Sequence, residues 1–464
     1  MTVPRIPAAD LSEAFVSDLR HRLIWQNPHY LNALKWGSRC LDIPPYLFAV
    51  WQDGEELVLA RGFIRGLIAL CHKHRIPFVI EDATRALPPV DFNFSGSLYG
   101  YQAEALRELS KRRFAILAGP TGCGKRITAL RLIAERRQPA LIVVATLRQA
   151  AIWKAIIRRF LDIDDSGVGF IGGGQMRFGD KITVAVVPSI YRVAEEMTQY
   201  AGFLIVEGAD KVNLNVLRKV VLPFAGPFML GLAVNPKRTD GLTGLTCSYL
   251  GEVAYEIHLP GKFAGIGAAR PRLIVRRTDF QYALYAGNFA AMIKALCMNE
   301  ARNALIVADI LQETVDPRVT ALILSERAAH LEVLRKEVIN AQGRDGYILA
   351  GSNEKERRLI LENIKKKPSL IYTTFAAIRG GDLDAGLPGL TKLFLASPLK
   401  NADVVSHAVG AILATDGKFL GDDGEGAAVY DYQDTNIPVL NISFAKRKKY
   451  LFNMGVVVAE NRRS

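Results

Sequence analysis

The stretch Phe114-Ala-Ile-Leu-Ala-Gly119-Pro-Thr-Gly-Cys-Gly124-Lys125 joins an apolar run to a glycine-rich turn and then to a helical segment. It fits the pattern G-x-x-x-x-G-K, in which glycines allow backbone N–H groups to converge on phosphate oxygens. Lys125 would reach the β- and γ-phosphates, and the positive end of the following helix would add to the attraction. The sequence therefore predicts a phosphate-binding loop in an α/β domain. Its candidate residues are Gly119, Thr121, Gly122, Gly124 and Lys125.

The residue after the lysine departs from this pattern. A Ser or Thr hydroxyl normally stands there and binds Mg²⁺, but this chain has Arg126. A guanidinium carries positive charge and has no lone pair for a metal. Thr128 comes two positions later and is expected to face elsewhere on the helix. We therefore predict no metal site and impaired metal-assisted hydrolysis.

Apolar runs that alternate with helical stretches predict parallel sheets, because such strands are buried on both faces. The first series is Phe114–Ala118, Ala140–Ala145, Ile182–Val187, Phe203–Val206 and Met229–Val234. The second series is Ala321–Leu324, Tyr347–Leu349, Leu370–Thr373, Leu393–Ala396 and Ala428–Tyr430. They indicate two consecutive α/β domains, residues 92–262 and 263–464. The second domain is expected to end in a basic helix that carries Lys446-Arg447-Lys448-Lys449.

We expect residues 1–90 to form a small mixed α/β module in front of these two domains. Asp53-Gly54 between two apolar runs is a hairpin signal. Gly62–His74 is expected to form a helix and Pro77–Ile80 a short strand. Leu87-Pro88-Pro89 is a candidate hinge, because consecutive prolines continue neither a helix nor a ladder.

Composition limits the classes of function. Of the 464 residues, 50% are hydrophobic and 23% charged, which excludes a disordered chain. Lys and Arg exceed Asp and Glu by 59 − 46 = 13. This excess favours a polyanionic partner such as nucleic acid, with plain solubility charge as the alternative.

Cysteine usage and hydropathy favour a cytoplasmic protein. The five Cys form no CxxC pair, which argues against a disulfide framework and a zinc finger. No apolar signal segment is visible near Met1. Val220–Val234 is the longest uncharged apolar stretch, and it is too short to span a membrane.

The order of several further segments resembles that of superfamily II DEAD/DEAH-type DNA helicases, above all the branch-migration and repair type with a small N-terminal module. The matching segments are Tyr99–Gln102, Thr146–Trp153, Ile171–Gly174, Val187–Tyr191, Gly231–Arg238, Leu324–Arg327, Thr373–Thr374 and Leu393–Pro398. The resemblance implies two tandem RecA-like parallel-sheet domains. It also implies that the N-terminal module, residues 1–90, is an accessory module that binds duplex or branched DNA. It also implies that Gln102 reads adenine. The nucleic-acid contacts that it implies are Thr146, Gly172, Gly173, Lys237, Arg238, Ser325 and Thr374. Trp153 is expected to lie in the core rather than to stack on a base.

The departures from the family pattern concern the groups that cleave ATP. The family's Asp-Glu pair is Glu207-Gly208 here, and glycine cannot act as a base. The family's Ser-Ala-Thr is Ala233-Val234-Asn235. Both arginine-finger positions are alanine, Ala411 and Ala414. A positioned base contributes about 10²–10⁴ in rate, and an arginine finger about 10³–10⁵.

These departures lead to two hypotheses. The first is that Arg126 and Glu207 form an ion pair where the metal would lie; the alternative is that Arg126 points to solvent. The second is that the chain is a helicase-like nucleic-acid-binding protein that has lost ATP hydrolysis. It would act as a binding or scaffold subunit of a larger assembly, with no cofactor and with DNA favoured over RNA.

Two other interpretations remain open. One is an active ATP-dependent DNA helicase or translocase with unusual motifs, which would use ATP and Mg²⁺. The other is nucleotide binding without turnover on Lys125 and Gln102.

Overall fold

A computed structural model of the chain describes residues 3–8, 11–35, 42–120, 122–197, 199–258, 271–283, 288–341, 343–364, 366–375, 377, 390–399, 427–453 and 456–458. The chain forms two compact units. The first unit comprises Met1–Gly119 and Gly124–Ile257, and the second comprises Pro120–Cys123 and His258–Ser464.

Among the described residues, the first unit has one main sheet, which contains the strands predicted for the first α/β domain, and two smaller sheets formed by strands within residues 5–59. The bounds of the strands and α-helices of this unit are as follows. Its strands are β1 Arg5–Pro7, β2 Ile24–Gln26, β3 Tyr46–Phe48, β4 Val50–Asp53, β5 Glu56–Leu59, β6 Phe114–Ala118, β7 Ala140–Val144, β8 Val168–Gly172, β9 Gln175–Arg177, β10 Ile182–Val186, β11 Phe203–Glu207, β12 Phe228–Ala233 and β13 Val253–Glu256. Its helices are α1 Glu13–Leu23, α2 Pro28–Lys35, α3 Ile64–His74, α4 Gly100–Ser110, α5 Lys125–Arg136, α6 Leu147–Leu161, α7 Val187–Ile190, α8 Ala194–Met197, α9 Leu214–Val216 and α10 Thr243–Leu250.

The main sheet has the order β13-β6-β12-β11-β7-β10-β8-β9 among the described residues. All its pairings are parallel except that of β8 with β9 at the edge. The five runs expected from the sequence are β6, β7, β10, β11 and β12, and their parallel pairing is confirmed. Because the strands run the same way, their carboxyl ends meet at one edge of the sheet.

The N-terminal residues pack onto this sheet as part of the same unit. Phe15, Leu19 and Leu70 share one apolar core with Leu245 and Leu250 of α10. The predicted hairpin is confirmed by the antiparallel pairing of β4 with β5. The helix predicted over Gly62–His74 is confirmed as α3, Ile64–His74. The first unit thus contains the module expected over residues 1–90 together with the following α/β layer.

Two expectations for the connecting segment are not met. Pro77–Ile80 forms no strand: no neighbouring strand pairs with it among the described residues, and Val79 is 89% exposed. Leu87, in the predicted hinge, exchanges two hydrogen bonds with the Gln138 side chain, at 2.8 and 2.9 Å. The hinge position is therefore fastened to the sheet domain.

The second unit repeats the α/β plan. Its strands are β14 Arg272–Thr278, β15 Thr320–Ser325, β16 Gly346–Ile348, β17 Leu370–Thr374, β18 Leu390–Leu395, β19 Ala428–Asp434 and β20 Val457–Val458. Its helices are α11 Phe289–Cys297, α12 Glu300–Glu313, α13 Ala328–Asn340, α14 Glu354–Ile364 and α15 Pro438–Asn453. The sheet order is β16-β17-β15-β18-β19-β14-β20, with parallel pairing throughout the described strands. Each unit therefore has a RecA-like α/β sheet, which is parallel throughout the described strands of the second unit and parallel except for the edge strand β9 in the first.

The basic segment near the C-terminus lies on α15, as predicted. Its three lysines are exposed, whereas its arginine is buried. Arg447 is 4% exposed and forms a two-pronged pair with Asp431, at 2.8 Å for each bond. None of the helices in the described part of the chain is long and apolar enough to cross a membrane.

Candidate functional site

The phosphate-binding loop connects the carboxyl end of β6 to the first residue of α5. Gly122 and Gly124 have φ of +84° and +79°, which glycine adopts without strain. The Lys125 ammonium donates to the Gly119 carbonyl at 2.5 Å, across the base of the loop. Thr121 lies outside the described residues. The local path that the sequence predicted is therefore present, with the lysine turned onto its own loop.

Gln102 packs directly behind this loop. Its side chain is 2% exposed, and its Oε1 accepts from the Tyr99 backbone N–H at 3.0 Å, which caps α4. A Cβ atom on Gly124 would lie 1.9 Å from Gln102 Nε2. Gln102 is thus buried against the loop in this structure, and both the positive φ of Gly124 and this close approach favour glycine at position 124.

Arg126 and Glu207 form the predicted ion pair. Arg126 is in the first turn of α5, and Glu207 is the last residue of β11. The Arg126 Nε donates to both Glu207 oxygens, at 2.9 and 3.1 Å, and Nη2 donates to Oε1 at 2.6 Å. The two side chains are 27% and 13% exposed. Such a two-pronged geometry is the strongest form of a charge-assisted hydrogen bond.

Trp153 is a third member of this cluster that the sequence did not predict. Its indole N–H donates to Glu207 Oε2 from α6, and the residue is fully buried. It is a core residue, as expected, but its polar edge is turned toward the acid. Both Glu207 oxygens therefore accept hydrogen bonds from within the protein.

The residues at this position do not fit Mg²⁺, which requires oxygen ligands in octahedral geometry. Arg126 offers none, and both Glu207 oxygens are engaged. The Thr128 hydroxyl is buried and donates to the Gly124 carbonyl at 3.3 Å. Elsewhere in the described part of the chain no group of three His, Cys, Asp or Glu could hold a metal ion.

The segment after Glu207 turns sharply and then ties two motifs together. Gly208 has φ of +74°, and open space surrounds the position where a Cβ would lie. The Asp210 carboxylate accepts from the backbone N–H groups of Val234 and Asn235, at 3.2 and 3.4 Å. Asp210 thus holds the end of β12 to the end of β11. Its place three residues after Glu207 was a signal that the sequence reasoning did not use.

The nucleic-acid candidates of the first unit occupy different environments. Thr146 is exposed and caps α6, accepting from the Gln149 N–H at 3.2 Å. Gly172 ends β8, and Gly173 (φ +56°) begins the exposed turn to β9. Lys237 is exposed after the end of β12. These residues follow the carboxyl ends of β7, β8 and β12, at the same edge as the phosphate-binding loop.

Arg238 is bound within the protein. Nε and Nη2 donate to Asp240, at 2.9 and 2.6 Å, and Nη1 donates to the Val212 carbonyl at 2.7 Å. The side chain is 11% exposed. Its geometry indicates that Arg238 shapes the loop after β12, and a role as a phosphate contact stays a prediction.

The candidates of the second unit are less accessible. Ser325 is fully buried and hydrogen-bonded to His330 Nδ1 at 2.9 Å. Thr374 is half-buried, and its hydroxyl accepts from the Ala377 N–H at 3.4 Å. Ala411 and Ala414 lie outside the described residues. Ser325 therefore supports the end of β15 from inside the core in this structure.

Comparison with known proteins agrees with this arrangement. Residues 95–238 match the family described as type III restriction enzyme, res subunit. The DNA 3′-5′ translocase XPB2 of Sulfurisphaera tokodaii is 34% identical over 158 residues. That alignment covers 34% of this chain and 35% of the relative, so the chain matches about a third of that protein. The helicase-like protein 161L of Invertebrate iridescent virus 6 is 24% identical over 400 residues, 80% of this chain and 84% of that protein.

Solved structures show the same fold at low identity. An HsdR-type subunit fragment of a type I restriction enzyme from Vibrio vulnificus YJ016 has a TM-score of 0.53 at 16% identity, and the match covers 86% of this chain and 74% of the other. The helicase MrfA bound to DNA has a TM-score of 0.55 at 14% identity, covering 82% of this chain and 56% of the other. With the phosphate-binding loop and the ordered motifs, the sequence matches make this chain similar to superfamily II helicases, and the solved structures show that it shares their fold.

Proposed function

We propose that this chain is a helicase-shaped nucleic-acid-binding protein that no longer hydrolyses ATP and acts as a binding or scaffold subunit of a larger cytoplasmic assembly. The observation that carries this proposal is the Arg126–Glu207 pair. A cation stands where the family has a metal-binding hydroxyl, and the acid that would face the metal already accepts from Arg126 and Trp153. Neither ATP nor Mg²⁺ is needed for such a role.

The losses in rate that follow from the missing catalytic groups multiply. Gly208 provides no base, which costs about 10²–10⁴ in rate. Alanine at positions 411 and 414 provides no arginine finger, a loss of about 10³–10⁵. Multiplied together, these losses amount to about 10⁵–10⁹ before the metal is considered. A single loss could be compensated by a neighbouring group, whereas a combined loss of this size favours a binding role.

The carboxyl edge of the first sheet supports nucleic-acid binding. Thr146, Gly173 and Lys237 are exposed there, and the chain carries a net charge of +13. Contacts by backbone N–H groups, hydroxyls and lysines go mostly to phosphates and are tolerant of sequence. XPB2 is named a DNA translocase, and MrfA was solved with DNA. DNA is therefore the proposed partner, ahead of RNA.

An active ATP-dependent translocase is the second candidate, and two observations favour it. Lys125 is retained at the base of the loop. The Asp210 contact still connects the acidic segment to the end of β12, through Val234 and Asn235. On this alternative the Arg126–Glu207 pair would open when nucleotide and Mg²⁺ bind.

Release of inorganic phosphate from ATP by the full chain separates the two candidates. We expect the rate to equal that of Lys125→Ala protein, with and without duplex or branched DNA, because the groups that cleave the phosphoanhydride are absent. Turnover above about 1 s⁻¹, a low rate for an enzyme, that DNA stimulates and Lys125→Ala abolishes would contradict the proposal.

DNA binding is tested separately by its dependence on salt. We expect Lys237→Ala to weaken binding of any sequence and to lower the salt slope by about one ion, because one phosphate contact is lost. Lys336→Ala is the matched control, since Lys336 lies on α13 of the second unit and belongs to none of the matching segments. The same loss in both variants, or no DNA binding at low salt, would leave only a protein-facing scaffold.

A further inference from the structure

A cavity of about 670 Å³ opens at the amino end of β6, the opposite end of that strand from the phosphate-binding loop. Its walls come from four segments of the first unit, residues 3–5, 61–65, 80–84 and 111–114. The strand spans five residues, which is about 16 Å at 3.3 Å per residue. The cavity is thus distinct from the site already described, and none of the matching helicase segments lines it.

Arg61 is the most unusual side chain in its walls. The residue is 7% exposed, and its Nη2 donates to the Phe224 carbonyl at 2.5 Å. The guanidinium lies over the Phe114 ring, 5.0 Å from its centroid. Nε and Nη1 are buried and have no hydrogen-bond partner. A buried cation with two unsatisfied donors is destabilising unless an anion or another acceptor completes it.

The backbone fixes Arg61 in this position. It begins the short helical turn Arg61–Phe63 that leads into α3. The next residue is Gly62, where a Cβ would lie 2.4 Å from the Gly251 backbone N. The turn therefore packs closely against the end of α10, and this packing places Arg61 in the cavity wall. Burial lowers the pKa of Arg61 to about 10, opposed by the Asp82 carboxylate.

Arg65 follows four residues later along the same helical run and also lines the cavity. Like charges at this spacing lie one above the other and repel. Arg65 is exposed and has no ion pair with a described carboxylate. By contrast, Arg5 is paired with Asp53 and Glu56, and Arg113 with Asp82. Arg112 is paired with Glu252. Arg61 and Arg65 are thus the two lining arginines that form no ion pair with a described carboxylate, although Asp82 and Glu81 also line the cavity and Asp82 acts on the charge of Arg61.

The chemistry of the walls identifies the class of ligand. Arginine presents a planar fork of donors that matches phosphate oxygens. Pro4, Ile64 and Ile80 add apolar surface beside the two arginines. The volume lies in the range of pockets that enclose small ligands, and a concave site of this size suits a terminal group better than the flank of a duplex.

We propose that this cavity binds a phosphomonoester attached to a flat, partly apolar body, with its phosphate between Arg61 and Arg65. Two sources share this chemistry, a free nucleoside monophosphate and the 5′-phosphorylated end of a nucleic-acid strand. The proposal does not depend on whether the chain hydrolyses ATP.

Calorimetric titration of the full chain tests it, in a Lys125→Ala background that removes the lysine of the other phosphate site. The probes are AMP and a short single-stranded DNA with either a 5′-phosphate or a 5′-hydroxyl. We expect Arg65→Gln to weaken binding of the phosphorylated probe about tenfold, as loss of one charged bidentate contact should. Arg107→Gln is the matched control, because Arg107 is exposed on α4 of the same unit and does not line the cavity.

The results show whether the ligand is a free nucleotide or a strand end, and they can overturn the proposed binding site. Binding of AMP identifies a free nucleotide, whereas binding of the 5′-phosphorylated strand alone identifies a strand end. The proposal is overturned if no probe binds at low salt, or if the 5′-phosphate and 5′-hydroxyl strands bind equally. Equal weakening by both glutamine variants, or tighter binding of an acidic peptide than of either phosphate probe, overturns it as well. Arg61→Lys keeps the buried charge but removes the fork, and we expect it to weaken phosphate binding while the thermal unfolding transition remains cooperative.

Discussion

Arg126–Glu207 in the first unit and Arg302–Asp434 in the second are both arginine–carboxylate pairs, yet their surroundings differ. The side chains of the first pair are 27% and 13% exposed, whereas those of the second are each 1% exposed. A fully buried pair must be satisfied by its neighbours or it destabilises the fold. A partly exposed pair at the edge of a sheet can be exchanged for other groups at a smaller cost, so chemistry can change there while the fold persists.

The buried pair holds several elements of the second unit together. Asp434, the last residue of β19, accepts from Arg302 Nε at 2.8 Å and from the Thr278 hydroxyl at 2.6 Å. Arg302, on α12, also donates to the Ala396 carbonyl at 2.6 Å. Its guanidinium lies 5.7 Å from the centre of the Tyr432 ring. These contacts join α12 to β14, β19 and the end of β18.

Removal of one partner of this pair should give the largest change in stability. We expect Asp434→Ala to lower the free energy of unfolding of the second unit by about 3–5 kcal/mol, because it leaves the buried Arg302 cation unpaired. Urea denaturation followed by circular dichroism measures the change. The control is the double variant Arg302→Met, Asp434→Leu, which removes both charges and should recover most of the loss. A cost below about 1 kcal/mol for the single variant would show that burial does not set the strength of the pair.

The neighbouring His330 should make the second unit sensitive to acid. His330 is fully buried, and its Nε2 lies 3.0 Å from Asn303 Oδ1. Asn303 Nδ2 donates to the Cys297 carbonyl, so Oδ1 is the acceptor and Nε2 carries the proton. Burial, with a contribution from Arg302, lowers the pKa of His330 to about 3. The histidine is therefore neutral in the folded state.

The sign of the pH effect follows from this shift. The unfolded chain binds the proton at about pH 6.5, and the folded chain only near pH 3. The stabilisation is thus complete above pH 6.5 and is lost as the pH falls toward 3. We expect about 2 kcal/mol of loss between pH 6.5 and 5, measured as the difference in unfolding free energy from His330→Gln at each pH. A pH profile of the same slope in both proteins would contradict this assignment.

The sequence predicted the local features well and the tertiary partners poorly. The strand–loop–helix path around Lys125 follows from the glycines and the apolar runs, which act over a few residues. The Arg126–Glu207 contact was also predictable, because a family pattern places positions 126 and 207 at the same metal. The indole of Trp153, the internal bonds of Arg238 and the burial of Ser325 depend on side chains far apart in sequence. No local pattern encodes them.

The N-terminal module, residues 1–90, shows the same limit of sequence-based prediction: local patterns do not reveal tertiary partners. Pro77–Ile80 has the β-branched and aromatic composition of a strand, but a strand needs a partner with which to exchange hydrogen bonds. The structure offers none among the described residues. Whether residues 1–90 form a separate module depends on which apolar faces meet, and Phe15 and Leu19 meet α10. Composition alone does not show that contact.

Within the partly exposed cluster the two partners should differ in their effect. We expect Glu207→Ala to lower the free energy of unfolding by about 1–3 kcal/mol, because it leaves the buried Trp153 N–H without an acceptor. Arg126→Ala should cost about 1 kcal/mol or less, since Glu207 keeps the Trp153 contact and can reach solvent. Chemical denaturation of both variants measures the difference. Equal costs would mean that the arginine, not the indole, anchors the acid.

The smallest effect should come from a third pair of the same chemistry at the surface. Arg318 donates to both Asp316 oxygens, at 3.1, 3.1 and 2.8 Å, but the two side chains are 82% and 42% exposed. Water competes for both charges, and holding the long side chain in place costs entropy. We therefore expect the urea midpoint of Arg318→Ala to equal that of the wild-type chain within error. If Arg318→Ala instead cost as much as Arg126→Ala, two-pronged geometry rather than burial would govern these pairs, and the Arg126–Glu207 cluster would be no more than a surface ion pair.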